Sequence, residues 1–264
     1  MQPKIAILSN AGGTGKSTTT VHLAYELAHD HNKSVALFDL DPQGSLNLFC
    51  GHEEPESQQT ISQVLENDDF AGDWPLVNCW PDHVDGRVVL CQGGARMEET
   101  SKQLVLHERG SYLLADRLED YPLTEDIIIF DCPATLGSIA LIALTTCTHI
   151  LINLQLEAKS IHGSGNFLNW FFKKRSALRL KPRPEILGII PCQYDKSAAE
   201  HRANLQALPQ MLAELDITLF KPIRHSRQFP KASAEGIPLH LFRPSHPAAK
   251  EDFREITKSV LALI

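Results

Sequence analysis

The chain of 264 residues predicts an α/β fold, a doubly wound and mostly parallel sheet with helices on both faces, formed as a single domain over residues 1–264. Three observations carry this expectation. Short, nearly continuous apolar runs alternate with segments of helical period, two of those runs end in aspartate, and a glycine-rich run joins the first strand to the first helix. Strands covered on both faces need apolar residues at successive positions, and ligand-binding residues of such sheets collect at the carboxyl ends of the strands.

The elements follow in order. Ile5 to Leu8 centre a strand over 4–9, and the segment through His22 and Leu27 has the period of a helix over 16–30. Val35 to Phe38 give a strand over 34–39, followed by helical patterns at 44–50 and 60–66. Between about 52 and 110 the pattern is weakest, and only Val88 to Gly94 reads as strand and turn, within a strand over 87–91. Beyond it, strands over 126–131, 148–154, 186–192 and a short one over 217–220 alternate with helices over 109–119, 137–146, 162–177, 199–215 and 248–263. Lys173 to Arg183, which includes Lys181, closes a helix in a basic run whose prolines mark a loop.

The glycine-rich run, Ala11-Gly12-Gly13-Thr14-Gly15-Lys16-Ser17-Thr18, has the composition of a phosphate-binding loop. Backbone N–H groups can converge on β- and γ-phosphates only where side chains do not obstruct them, which accounts for Gly12, Gly13 and Gly15. Lys16 supplies a point charge, the Ser17 hydroxyl is placed to ligate Mg²⁺, and the helix beginning there directs its N-terminal dipole at the anion. An ordinary loop of this kind has a glycine five positions before Gly15. Asn10 stands there, and the double glycine before Thr14 belongs to a deviant form.

Two further motifs fit the loop. The second strand runs into Asp39-Leu40-Asp41-Pro42-Gln43-Gly44, and Ile127 to Phe130 run into Asp131-Cys132-Pro133. Carboxylates at those strand ends would lie beside the phosphate loop. Asp131 is then expected to hold the water network of Mg²⁺ from behind, Asp39 and Asp41 to reach the metal or the attacking water, and Asp41 to be the residue at the water.

Composition excludes several classes. No apolar stretch approaches the roughly 18 to 20 residues that span a membrane, and the N-terminus enters a strand at once, so a cytoplasmic protein without a signal peptide is expected. The six cysteines fall singly, with no Cys-x-x-Cys pair, and the twelve histidines show no zinc spacing. The formal net charge is −7, so any polyanion partner must use a local patch. Two patches exist: Lys173 to Arg183, and the C-terminal third with Lys196, Arg202, Lys221, Arg224, Arg227, Lys231, Arg243, Lys250 and Arg254. Phe253, Ile256, Val260 and Leu263 form an apolar stripe, expected to pack on the sheet rather than to face lipid.

The loop, the Asp39 to Gly44 motif and Ile129-Phe130-Asp131-Cys132-Pro133 together resemble the deviant Walker-box ATPases of the ParA/MinD group, which position plasmids, chromosomes and other cargo. Leu136-Gly137, Gly236-Ile237-Pro238 and a C-terminal helix extend the likeness over nearly the whole chain. The resemblance implies a P-loop nucleotide-hydrolase fold, ATP as substrate with Mg²⁺, and slow hydrolysis in the absence of a partner. It also implies a homodimer around two ATP molecules, nonspecific DNA bound by basic C-terminal residues (Arg202, Arg224, Arg227 and Lys231), nucleoid association, and a cargo-linked adaptor that stimulates turnover. Adenine would be held near Gln193, Asp195 and Pro222. Relatives usually begin the loop with a lysine that crosses the dimer interface near Gly12 to the partner's phosphates; here that position is Ala11, and Lys159 is the candidate substitute. A subgroup that distributes carboxysomes on the nucleoid resembles this chain in lacking the lysine, with plasmid and chromosome partition proteins as the alternative. The same loop and sheet also serve small-molecule ligases and reductase components, a different class that remains open.

Overall fold

A computed structural model describes residues 1–180, 182–243 and 247–264; Lys181 of the basic run lies outside the described residues. Seven strands form one sheet: β1 (Lys4–Leu8), β2 (Val35–Asp39), β3 (Leu76–Asn78), β4 (Val88–Cys91), β5 (Ile127–Asp131), β6 (His149–Gln155) and β7 (Glu185–Cys192), in the order β3-β4-β2-β5-β1-β6-β7. All neighbours pair in parallel except β3 with β4. The order reverses on either side of β1, so a crevice opens at its carboxyl end, where ligands of such sheets bind.

Alternation along each strand builds two cores. Ile5, Ile7, Val35 and Leu37 face the helix Lys16–His31 and the C-terminal segments, while Ala6, Leu8, Ala36 and Phe38 face the layer that contains Ile139, Ile142, Phe167 and Phe171. Both faces are covered, which is why these strands read as continuous apolar runs.

Several boundaries differ from expectation for local reasons. The edge strand β3 is an addition; with three residues it leaves no readable period. The region 217–220 makes an isolated pairing beside β7 rather than a strand, with Ile189 N–H donating to the Thr218 carbonyl at 2.8 Å and Phe220 N–H to the Ile189 carbonyl at 3.0 Å. Gly188 permits this approach, because a Cβ there would lie 2.4 Å from the Phe220 ring. Helix Ala158–Ala177 begins four residues earlier than expected, which moves Lys159 from a loop into a first helical turn. The expected C-terminal helix divides into Pro247–Glu251 and Arg254–Leu261. Its stripe packs inward: Phe253, Ile256 and Val260 are fully buried, and Leu263 is partly buried against the same core. Helices Arg96–Leu106 and Gln228–Ala234 are further additions to the elements expected from sequence.

Helix Lys16–His31 is tied to the C-terminal region by a buried histidine. Leu239 N–H donates to His22 Nε2 at 3.0 Å, so Nδ1 carries the proton and donates to the Thr18 carbonyl at 2.7 Å. Phe253 stacks on the ring at 4.6 Å, and burial drives the imidazole pKa down to about 3. The six cysteines are buried free thiols; the fold nevertheless brings Cys79 beside Cys50 and His52, a proximity that sequence spacing did not reveal.

Candidate active site

The phosphate loop crosses the carboxyl end of β1 and enters helix Lys16–His31. Gly13 and Gly15 adopt φ of +69° and +83°, the left-handed region that side chains resist. Lys16 is buried, and its ammonium donates to Ser9 Oγ at 3.2 Å while that hydroxyl donates to the Ala11 carbonyl at 2.8 Å. A cation is thus held at the glycine-rich loop through Ser9. The loop, Gly12 to Thr18, lines a cavity of about 770 Å³ together with Asp41, Gln43, Pro133, Ser138 and Gln193. Glu98 and Ser101 of helix Arg96–Leu106 also line it. Sequence reasoning missed them because they belong to the region with the weakest period.

Asp39 and Asp131 are paired in register at the ends of β2 and β5, and both are fully buried. Asp39 accepts from Asp41 N–H at 3.1 Å and from Leu46 N–H at 3.0 Å, one on each carboxylate oxygen. Neither it nor Asp131 lines the cavity, both lying behind its wall. The Asp39 oxygens hold the loop Leu40–Gly44 in place. Burial and the neighbouring Asp131 push its pKa well above the usual carboxylate range. Asp131 differs. One oxygen accepts from Thr20 Oγ1 at 3.4 Å, and the other is buried near the Ser17 hydroxyl without a donor in full hydrogen-bond geometry. Burial raises its pKa to about 6, against the opposing pull of Ser17 and Lys16. A buried acceptor without a donor is unfavourable unless a water or ion completes it. Asp131 beside Ser17 thus fits the place expected behind a hydrated Mg²⁺. Asp41 lines the cavity and accepts from Gln43 N–H at 3.0 Å.

A second, mainly apolar cavity of about 350 Å³ adjoins the loop at Gly15, Thr18 and Thr19. Leu48, Phe49, Ile223 and Phe229 provide its apolar walls, and Gln193 lines both cavities. Gln193 therefore stands where the two cavities meet. Pro222 and Asp195 do not line this cavity; Ile223 to Ser226 do, and Asp195 instead accepts from Ser197 N–H at 2.8 Å, a bond that with the Ser197 hydroxyl holds its pKa low. Phe49 and Phe229 come from two short helices, of which the second has no clear sequence signal.

A third cavity, of about 470 Å³, lies between the start of the loop and helix Ala158–Ala177. Ala11, Gly12 and Lys159 all line it, so the fold brings the candidate cation to the side of the loop where the crossing lysine is absent. The basic residues are more dispersed in role. Arg227 and Lys231 are exposed at the start of helix Gln228–Ala234 and within it. Arg202 is exposed, but donates to the Lys196 and Ser197 carbonyls at 2.8 and 2.9 Å. Arg224 is not a free surface cation, since its guanidinium grips Asp252 through two bonds of 2.7 Å and ties the C-terminal segment to the apolar cavity.

A family model described as an AAA domain matches residues 2–181. The chain therefore belongs to this family, in its ParA/MinD-type branch. The sporulation initiation inhibitor protein Soj of Bacillus subtilis is 27% identical over 263 residues, covering 98% of each chain. Among solved structures, an ATP complex of a substituted McdA from Cyanothece superposes with a TM-score of 0.84 at 20% identity, covering 98% of this chain and 96% of that one. Cobyrinic acid a,c-diamide synthase from Mycobacterium smegmatis, with bound ADP and magnesium, gives 0.79 at 23% identity over 99% and 94%. At such identities the structural likeness speaks for the fold.

Proposed function

We propose that this chain is an ATP-dependent positioning ATPase that binds and hydrolyses Mg²⁺·ATP in the two joined cavities. The observation that carries the reading is their continuity: a phosphate loop with a buried lysine opens, past Gln193, onto an apolar cavity beside Phe49 and Phe229. A triphosphate suits the first and a nucleoside the second. ATP is preferred because a similar fold was solved with ATP in McdA, and magnesium because the cobyrinic acid synthase was solved with ADP and magnesium. Ser17 would hold the metal and Asp131 its water shell, and the metal when bound would offset charge developing on the transferred phosphoryl group. Lys16 neutralises the same oxygens, the loop N–H groups orient them, and Asp41 is placed to align the attacking water.

In this reading two copies close around two ATP molecules through the face carrying Gly12 and Lys159. The dimer binds nonspecific DNA through Arg227, Lys231 and Arg202, and a cargo-linked adaptor accelerates hydrolysis and releases it into the cytoplasm. The cargo would be carboxysomes or, alternatively, a plasmid or chromosome. A cation acting on a partner's γ-phosphate is worth about 10³ or more in rate, so Lys159→Ala should abolish most adaptor-stimulated turnover; full turnover and unchanged dimerisation would remove Lys159 from this role. The decisive test is binding to nonspecific duplex DNA with ATP, with ADP and without nucleotide at two salt concentrations. ATP-dependent binding that weakens with salt is expected. Absence of binding in every state, with turnover stimulated by a small acid or amine, would favour the metabolic ligases that share the fold.

A further inference from the structure

A loop that turns its N–H groups toward an anion must turn its carbonyls the other way, and those carbonyls need donors. In this chain the donors are side-chain amides from the two neighbouring strands. Gln155 Nε2, from the last residue of β6, donates to the Gly13 carbonyl at 3.3 Å, and Gln193 Nε2, one residue beyond β7, donates to the same carbonyl. Asn153, two residues before Gln155 on the same face of β6, donates to Thr19 Oγ1 at 2.8 Å and toward the Thr14 carbonyl at 3.5 Å. Gln193 reaches its carbonyl from a left-handed backbone, φ +54°, a conformation that disfavours an ordinary side chain.

From this convergence we infer that Gln155 and Gln193 are positioning residues that clamp the Gly13 carbonyl and so fix the phosphate loop in its anion-binding form. The inference rests on the nucleotide reading above and gives Gln193 a task distinct from contact with the base. Gly13 is left-handed, and the space where a Cβ would stand is open, so no packing on that side holds the peptide. Its carbonyl oxygen accepts from an amide at each of the two strand ends. Loss of one glutamine leaves the carbonyl served by the other, whereas loss of both removes the two amides and lets the peptide turn its oxygen toward the phosphates. The two sites share one acceptor, and their effects should not add.

The test is a double-mutant cycle on the full chain, with Gln155→Met and Gln193→Met, in which ATP and adenosine affinities are measured by calorimetry and thermal midpoints recorded alongside. Each single variant should weaken ATP about 3-fold and the double variant about 50-fold or more, because a served acceptor becomes an unserved one. Adenosine, which lacks phosphate, should stay within about 2-fold in Gln155→Met, whose side chain lines neither joined cavity, and the non-additive part of the double variant's loss should appear for ATP alone. A general structural role would weaken both ligands equally. Gln193→Glu, of the same shape, sets an acceptor against an acceptor and should weaken ATP more than Gln193→Met does even if the methionine variants fold poorly. ATP binding unchanged in a folded double variant, or ATP and adenosine weakened by one common factor, would overturn the clamp. Wild-type protein that binds neither ligand would instead overturn the nucleotide reading itself.

Discussion

The ends of β2 and β5 carry the same residue at the same level of the sheet, yet Asp39 and Asp131 are in opposite conditions. Asp39 spends both oxygens on the N–H groups of Asp41 and Leu46. Asp131 keeps one buried oxygen without a well-aligned donor, near the Ser17 hydroxyl of the helix that carries Lys16. The difference arises from the path of the chain beyond each strand. After β2 it folds back over its own aspartate into helix Ser45–Phe49, while after β5 it departs toward Pro133 and leaves the carboxylate beside Ser17 and Thr20 at the start of helix Lys16–His31. A buried carboxylate with satisfied oxygens shapes the fold, and one left incomplete is the candidate for chemistry.

Substitutions at the two positions should therefore separate stability from turnover. Asp39→Ala should have the largest thermodynamic effect, about 2–5 kcal/mol, because two backbone donors lose their acceptor; denaturant unfolding checks it, and a loss below about 1 kcal/mol would mean water replaces the carboxylate freely. Asp131→Asn should leave the thermal midpoint unchanged or raised, because it removes a buried charge, while hydrolysis falls roughly 10–100-fold through loss of the group behind the metal's water shell.

A smaller effect, remote from both carboxylates, provides a control. The unfolded chain protonates His22 near its ordinary value, whereas in the folded protein the pKa lies at about 3. Stability tied to His22 is thus fully present above about pH 6.5 and falls as pH drops toward 3. His22→Gln should cost about 1–3 kcal/mol at neutral pH through a lost buried hydrogen bond and flatten that acid decline. Thermal midpoints from pH 7 to 4 report it, and an unchanged slope would place the acid sensitivity in other groups.

The same contrast shows how far sequence reaches. The central strands, the phosphate loop and the three aspartates were legible because buried parallel strands and anion-binding loops impose residue types over several consecutive positions. The division of labour between Asp39 and Asp131 was not legible, since both sit in the same context of an apolar run ending in acid. It depends on where Leu46 N–H returns in space. Arg224 reads like its neighbours Arg227 and Lys231, and only the packing of the C-terminal segment sets Asp252 against it. Phe229 and the edge strand β3 stayed hidden because short elements carry no periodic signal, and Glu98 because helix Arg96–Leu106 lies in the stretch of weakest period. Gln155 was visible as a letter, but its partnership with Gln193 on one carbonyl is a property of adjacent strand ends.

The division of labour is best tested by phosphate release from ATP, with and without Mg²⁺, by wild-type, Asp131→Asn and Asp39→Asn proteins compared at equal folded fraction. Expected are Mg²⁺-dependent release by the wild type, a 10–100-fold slower rate in Asp131→Asn at an undiminished thermal midpoint, and a lesser loss of rate in Asp39→Asn accompanied by a lower midpoint. Equal rates in wild type and Asp131→Asn, or no release by any of the three, would contradict it.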